Sequence, residues 1–109
     1  MAITSTQSNV PASVTNVAIG RYIDTGTVAA FKITTGFKPR YVKVFNLTSF
    51  DQEEWFEGMT ADHAIKEVAA GTKSEIASLG ITVAVDGFTV GLDTDICYTS
   101  EQLSWIAIG

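Results

Sequence analysis

Residues that commonly carry acid–base and nucleophilic chemistry are scarce in this sequence. His63 is its only histidine and Cys97 its only cysteine. The residues ADHAI around His63 have no nucleophile-elbow character, and DICYTS around Cys97 matches no catalytic signature. Without motif context, a packing or solvated role is the better interpretation of both residues. A lone cysteine also excludes an internal disulfide and a cysteine-based zinc site.

Acidic residues occur in two clusters. The run Asp51, Glu53, Glu54 and Glu57 could hold the carboxylate pair of a glycosidase, or it could form a solvated rim around Trp55. Carboxylates beside an exposed tryptophan would also suit contact with carbohydrate.

The second acidic cluster, Asp93 and Asp95 in GLDTDI, resembles part of a calcium loop. It lacks the glycine and the distal glutamate that an EF-hand requires. The nine glycines are scattered and form no phosphate-binding loop. The sequence therefore predicts no catalytic residue, no metal and no cofactor, and the chain is interpreted as not an enzyme.

Composition narrows the possible partners. The 109 residues suit one domain, and the net charge of −5 with only seven basic residues argues against nucleic-acid binding. The start MAITSTQSNV does not read as a signal peptide, and no apolar run approaches the ~20 residues of a membrane span. Charged residues make up only 17%, below the usual share of about 25%. Such a surface suits a protein that packs against its own copies or a partner.

The first 16 residues differ from the remainder of the chain. They are rich in Ser, Thr, Asn and Ala, contain Pro11 and carry hardly any charge. This composition predicts a flexible N-terminal arm over residues 1–16, followed by a β domain over residues 17–109. The arm is either a frayed terminus or a segment that orders against a neighbouring subunit.

Strand signals dominate from Val17 onward. Thr27 to Thr35 is rich in β-branched residues, and Arg40 to Thr48 is the strongest strand pattern in the chain. Because Arg40 to Thr48 carries apolar side chains on both faces, it predicts a central strand, covered on its second face by the domain or by another subunit. A last strand is predicted over Leu103 to Ile108, with Trp105 and Ile106 on opposite faces.

A hairpin is predicted over Ile81 to Leu92. Asp86 and Gly87 are favoured in a two-residue type I′ turn, in which both residues have positive φ. This turn sets the register and points one set of apolar side chains to one face. The predicted pairs are Val85 with Phe88, Val83 with Val90, and Ile81 with Leu92.

Two neighbouring segments are harder to assign. Gln52 to Met59 has large aromatics flanked by glutamates, which suggests an edge or rim position, with Trp55 and Phe56 on opposite faces. Thr60 to Gly71 carries helix signals at both ends but also alternates as a strand would. We expect a strand there. The predicted fold is all-β, a single antiparallel β-sandwich or barrel-like domain, with one short helix near residues 60–70 as the open alternative.

Several short phrases in a fixed order resemble a known family. GFKPRYVKVFNLTS is followed by EWFEGM, AAGTKSE, GITV, GFTVG and a final SWIAIG. This order is similar to short domains of bacteriophage virion proteins, which occur as small head decoration proteins and as tail-fibre modules. The similarity covers about Phe31 to Gly109 and leaves the first part of the chain unmatched.

The resemblance implies a non-enzymatic structural protein of the virion, assembled in the host cytoplasm. The leading expectation is a capsid decoration (cement) protein that binds the major capsid protein, or another virion protein, on the outside of the head. The alternative is a tail or tail-fibre component that contacts a host surface or glycan. Self-association as a homotrimer is expected, with no nucleic acid and no membrane as partner. The candidate interface or glycan contacts are Trp55, Phe56, Glu54, Glu57, Tyr41 and Phe45.

Overall fold

The computed structural model describes residues 16–23 and 30–109. The predicted arm, apart from Asn16, and the first residues of the predicted strand Thr27 to Thr35 lie outside this range. Across the described residues the chain forms strands, turns and loops, without a helix. The strands are β1 (Val17–Ile23), β2 (Phe31–Thr34), β3 (Tyr41–Asn46), β4 (Gln52–Phe56), β5 (Ala64–Glu67), β6 (Lys73–Ile76), β7 (Ile81–Ala84), β8 (Gly87–Val90) and β9 (Gln102–Ile108).

These strands form two antiparallel sheets, which confirms the predicted all-β class and agrees with a β-sandwich. The larger sheet has six strands in the order β1-β9-β3-β4-β5-β6, and the smaller has three in the order β2-β8-β7. β3 is internal in the larger sheet, as its two-sided apolar pattern predicts. β9 lies between β1 and β3, so the last strand of the chain joins the first to the middle of the sheet.

The hydrophobic core lies where the inner faces of the two sheets meet. Val42 and Val44 of β3 are fully buried, as is Phe88 of β8. The rings of Phe88 and Trp105 meet edge to face, with centroids 5.4 Å apart, and join the two sheets. Aromatic pairs of this kind add to the stabilisation that burial alone provides.

The predicted hairpin exists, but its register is wrong by two residues. Ile81 pairs with Val90 and Val83 with Phe88, so the loop is Val85–Asp86 and Gly87 belongs to β8. Neither Asp86 nor Gly87 has positive φ, so the type I′ prediction is also wrong. Shifting by two preserves the face of each strand residue, because side chains alternate with a period of two.

The neighbouring strand β2 explains this register. β8 is the middle strand of the smaller sheet and also pairs with β2, where Thr34 is opposite Gly87. The Asp86 carbonyl accepts hydrogen bonds from the backbone N–H groups of Thr35 and Gly36. A Cβ on Gly87 would collide with the carbonyl oxygen of Ile33. Gly87 is therefore required for close approach between strands, not for a left-handed turn.

The structure settles the two segments that were hard to assign from the sequence, Gln52 to Met59 and Thr60 to Gly71. The rim position predicted for Gln52 to Met59 is wrong, because β4 is internal, between β3 and β5. The strand prediction within Thr60 to Gly71 is confirmed by β5, which pairs with both β4 and β6. Two-sided pairing satisfies the backbone of β5 without a helix. Gly71 has φ of 92° and closes the turn to β6.

Candidate interaction surface

The larger sheet has an outer face that the smaller sheet does not cover. Along β3, Val42 and Val44 point into the core, whereas Tyr41, Lys43 and Phe45 point outward and are half-buried. The same alternation runs along β1, β9 and β4. All outward-pointing side chains of these strands therefore share one surface, here called the outer face.

The half of the outer face formed by β1, β9 and Phe45 of β3 is mostly apolar and is here called the apolar half. Val17, Ile19 and Ile23 of β1 are 48%, 72% and 55% exposed. In register with Ile19 and next to it on β9 is Ile106, and β3 adds Phe45. Between them is an open groove of about 280 Å³, lined by Ile19, Lys43, Phe45, Leu47, Ser104, Trp105 and Ile106. Arg21, Lys43 and Ser104 also lie on this half, but apolar side chains predominate, which is typical of interaction sites.

The other half of the outer face is polar and aromatic. The rings of Tyr41 and Phe56 lie opposite each other, with centroids 5.0 Å apart. The Tyr41 hydroxyl donates a 2.6 Å hydrogen bond to Glu54 Oε2. Burial, together with this bond to a carboxylate, raises the pKa of Tyr41 above its ordinary value. The amide of Gln52 donates to Glu67 on the neighbouring strand.

Of the six candidate contact residues, the structure brings together Tyr41, Phe45, Glu54 and Phe56 on the outer face, and it exposes Glu57 just after β4. Trp55 is separated from them. It is only 6% exposed, and its indole Nε1 donates to the carbonyl of Thr60 on the core side. The predicted alternation of Trp55 and Phe56 is correct, but Phe56 is the exposed ring.

Glu53 is the residue that sequence reasoning missed. It is fully buried on the inner face of β4, and neither carboxylate oxygen has a hydrogen-bond partner. Burial raises the pKa of Glu53 to about 8, and the nearby charge of Asp93 adds to this effect. The signal available in the sequence was that Glu53 and Trp55, two residues apart on one strand, point to the same face. Glutamates on either side of Trp55 pointed instead to solvent.

Lys66 lies directly opposite Glu53 in the register of β4 and β5. Its Nζ donates to Asp93 Oδ2 at 2.8 Å and to Asp95 Oδ2 at 2.7 Å. Burial alone would lower the pKa of Lys66, but the two carboxylate bonds outweigh burial and raise it. These bonds tie the loop after β8 to β5. They also show what Asp93 and Asp95 do here: they bind a lysine.

The remaining candidates for chemistry are dispersed. His63 Nδ1 lies 3.0 Å from Glu75 Oε2, and Cys97 is buried with its Sγ 3.6 Å from the Tyr22 hydroxyl. Asp51 accepts a hydrogen bond from the backbone N–H of Ala69. Across residues 16–23 and 30–109, no group of three or more His, Cys, Asp or Glu side chains is arranged to hold a metal ion. The described part of the chain also contains no helix suited to crossing a membrane.

Comparison with known proteins adds no relative. No protein-family model, no curated protein and no solved structure matches the chain significantly. The class that the fold defines is an all-β protein of two antiparallel sheets, and its most conspicuous surface feature is the apolar half of the outer face.

Proposed function

We propose that this chain is a non-enzymatic structural protein of a bacteriophage virion, acting as a capsid decoration protein that binds the outside of the head as an oligomer and stabilises it. The observation that carries the proposal is the apolar half of the outer face, where Ile19 is 72% exposed beside Ile106 and Phe45. Such a surface gains free energy when a protein partner covers it.

Two further features support this proposal. The order of short sequence phrases resembles head decoration and tail-fibre domains. The net charge of −5 disfavours contact with a packaged polyanionic genome and favours a position on the outer surface of the shell. Self-association is part of the proposal. A homotrimer is the form that the resemblance implies, whereas the backbone geometry of β1, given below, favours a two-fold contact.

The test is binding of the purified chain to capsids that lack it. Phe50 is 62% exposed and its ring lies 6.4 Å from that of Phe45, so F50D places a charge beside the apolar half. The control is V85D, since Val85 is 81% exposed at the β7–β8 turn, away from the outer face. Both positions accept a polar side chain without exposing the core, and Phe50 has φ of 64°, which Asp tolerates better than Phe.

We expect F50D to reduce capsid occupancy by at least about tenfold, the effect of burying an unpaired charge at an interface. V85D is expected to bind like the parent chain. Equal binding of both variants would contradict the role of the outer face. Absence of the chain from the head in a map of the virion would refute the decoration role itself.

A second candidate function is favoured by the polar half of the outer face. An exposed Phe56 ring packed on Tyr41, with the carboxylates of Glu54 and Glu57 nearby, is the combination of stacking surface and hydrogen-bond acceptors that sugars require. As a tail or tail-fibre component, the chain would use the polar half of the outer face to bind a host glycan. Because Trp55 is buried, the informative variant is F56A. Glycan-array binding that is lost in F56A would support this function, and no binding by the parent chain would count against it.

A further inference from the structure

The two ends of the larger sheet differ in how they are protected. β6 is short, with four residues, and carries Lys73 and Glu75. β1 has seven residues without proline, and Arg21 is its single charge. Natural sheets usually protect exposed edges with charges, prolines, bulges or short strands. β6 follows this practice. β1 is long and regularly paired, and its exposed side chains are mostly apolar, which is typical of an edge that another strand covers.

The outward-facing backbone groups of β1 can be identified from its pairing with β9. Residues in an antiparallel pair alternate between hydrogen-bonded and non-hydrogen-bonded positions. The Gly109 N–H donates to the Asn16 carbonyl, which makes Asn16 a hydrogen-bonded position. Alternation then directs the backbone groups of Ala18, Gly20 and Tyr22 toward β9. Those of Val17, Ile19, Arg21 and Ile23 point away from it, and no other described strand pairs with them.

We propose that β1 pairs antiparallel with β1 of a second copy of this chain, about a two-fold axis at Gly20. This register opposes Val17 to Ile23 of the second copy and Ile19 to Arg21 of the second copy. It pairs only residues whose backbone groups point away from β9. About eight backbone hydrogen bonds therefore form between the two copies, and the pairing of β1 with β9 is unchanged. The two larger sheets become one continuous sheet.

Charge and side-chain pairing favour a second copy as the occupant. Although each chain is acidic overall, the single charge on β1 is the cation Arg21. In the proposed register the guanidinium does not oppose its own symmetry mate, because Arg21 faces an aliphatic side chain along which its stem can lie. Val17 and Ile23 form β-branched cross-strand pairs, which stabilise sheets. The apolar half of the outer face then continues across the two-fold axis.

The inference goes beyond the proposed function, because strand pairing can be measured on the isolated full chain. Native mass spectrometry and sedimentation velocity give the mass and the dissociation constant. The variant I19K places an ammonium opposite Arg21 of the second copy, twice per dimer, and like charges directly opposite each other disfavour pairing. Adding R21E to I19K places opposite charges across both positions and should restore pairing. Circular dichroism verifies that each variant keeps the β fold.

We expect a dimer for the parent chain, a dissociation constant raised by at least about tenfold in I19K, and recovery in I19K/R21E. If the two-fold axis instead passed through Ile19, the two I19K lysines would lie opposite each other. R21E would then not restore pairing, and that result would refute the proposed register. A monomer or a trimer of the parent chain would overturn the inference. So would a full chain that dimerises only after removal of residues 1–15, since its own N-terminal segment would then cover the edge. A monomer would also contradict the oligomer in the proposed function, whereas the capsid-binding test of the outer face depends on none of these outcomes.

Discussion

Replacing the buried Glu53 should change how the stability of this protein depends on pH. An unfolded glutamate loses its proton near pH 4.5, whereas folded Glu53 keeps its proton until about pH 8. Between these values the unfolded state binds fewer protons than the folded state, so the free energy of unfolding falls as pH rises. The slope from this one residue is about 1.4 kcal/mol per pH unit, and the total loss by pH 8 is about 5 kcal/mol.

The cause is the position of Glu53 between the sheets. Burial is the largest contribution, and Asp93 and Asp62 raise the pKa further, while Lys66 lowers it. Lys66 lies opposite Glu53, but its Nζ is bonded to Asp93 and Asp95, and both carboxylate oxygens of Glu53 remain without a hydrogen-bond partner. A loss of about 5 kcal/mol is large for a small domain, whose entire stability is typically about 5–15 kcal/mol.

The assay is urea unfolding followed by tryptophan fluorescence from pH 5 to pH 9, on the parent chain and on E53Q. The glutamine has the same shape but does not titrate. We expect similar stabilities near pH 5, within about 1–2 kcal/mol for the changed hydrogen-bonding groups, and E53Q more stable by several kcal/mol at pH 8. The control is E57Q, which removes an exposed carboxylate and leaves Glu53 in place, so the difference in stability between E53Q and E57Q should grow as pH rises. A stability difference between E53Q and the parent that does not vary with pH would refute this reasoning.

Three further predictions test the packing. G87A should lower the free energy of unfolding by about 2–3 kcal/mol or more, because the new Cβ meets the Ile33 carbonyl. The control G36A, in open space at φ of 87°, should lower it by only about 1–2 kcal/mol. Thermal melts compare the two variants, and equal costs would argue against the close approach. K66M should cost about 3–5 kcal/mol in urea unfolding at pH 7 by leaving the buried Asp93 unpaired, and a neutral effect would contradict the role of that ion pair. F88A should cost about 3–5 kcal/mol in the same assay by opening a cavity between the sheets, and a cost under about 1 kcal/mol would show that Phe88 does not join them.

Alternation of apolar and polar residues predicted much of this fold, because within one strand it shows which residues share a face. Val42 and Val44 were assigned to one face of β3, which the burial of that strand confirms. Trp105 and Ile106 were assigned to opposite faces of β9, and Trp105 packs on the buried Phe88 whereas Ile106 pairs with the exposed Ile19. The predicted hairpin register was wrong because the local turn preference places Asp86 and Gly87 in the loop, whereas Gly87 pairs as part of β8. The choice is made by β2, which is distant in sequence and presses the Ile33 carbonyl against Gly87.

The site was harder to predict than the fold, because burial of β4 depends on the order of strands in the sheet. With β4 taken as an edge, Trp55 and the glutamates belonged to solvent. With β4 between β3 and β5, one residue in two must enter the core, and these are Glu53 and Trp55. Sequence composition indicated a surface poor in charge. It did not locate that surface, because β1 and β9 become neighbours only through pairing of the two ends of the chain.

The distribution of polarity across the larger sheet gives the strongest physical reason to expect assembly at β1. The six-stranded sheet is wider than the three-stranded sheet that covers it, so its end strands are the least protected. At the β6 end the exposed residues Lys73, Ser74 and Glu75 are polar, and water satisfies them. At the β1 end Ile19 and Ile23 are exposed although the alternation there would accept polar side chains equally well. An apolar residue at such a position buries only part of its surface in the isolated domain, and covering the remainder with another surface lowers the free energy further. These differences support the proposal that another chain pairs with β1, whereas β6 ends the sheet toward solvent.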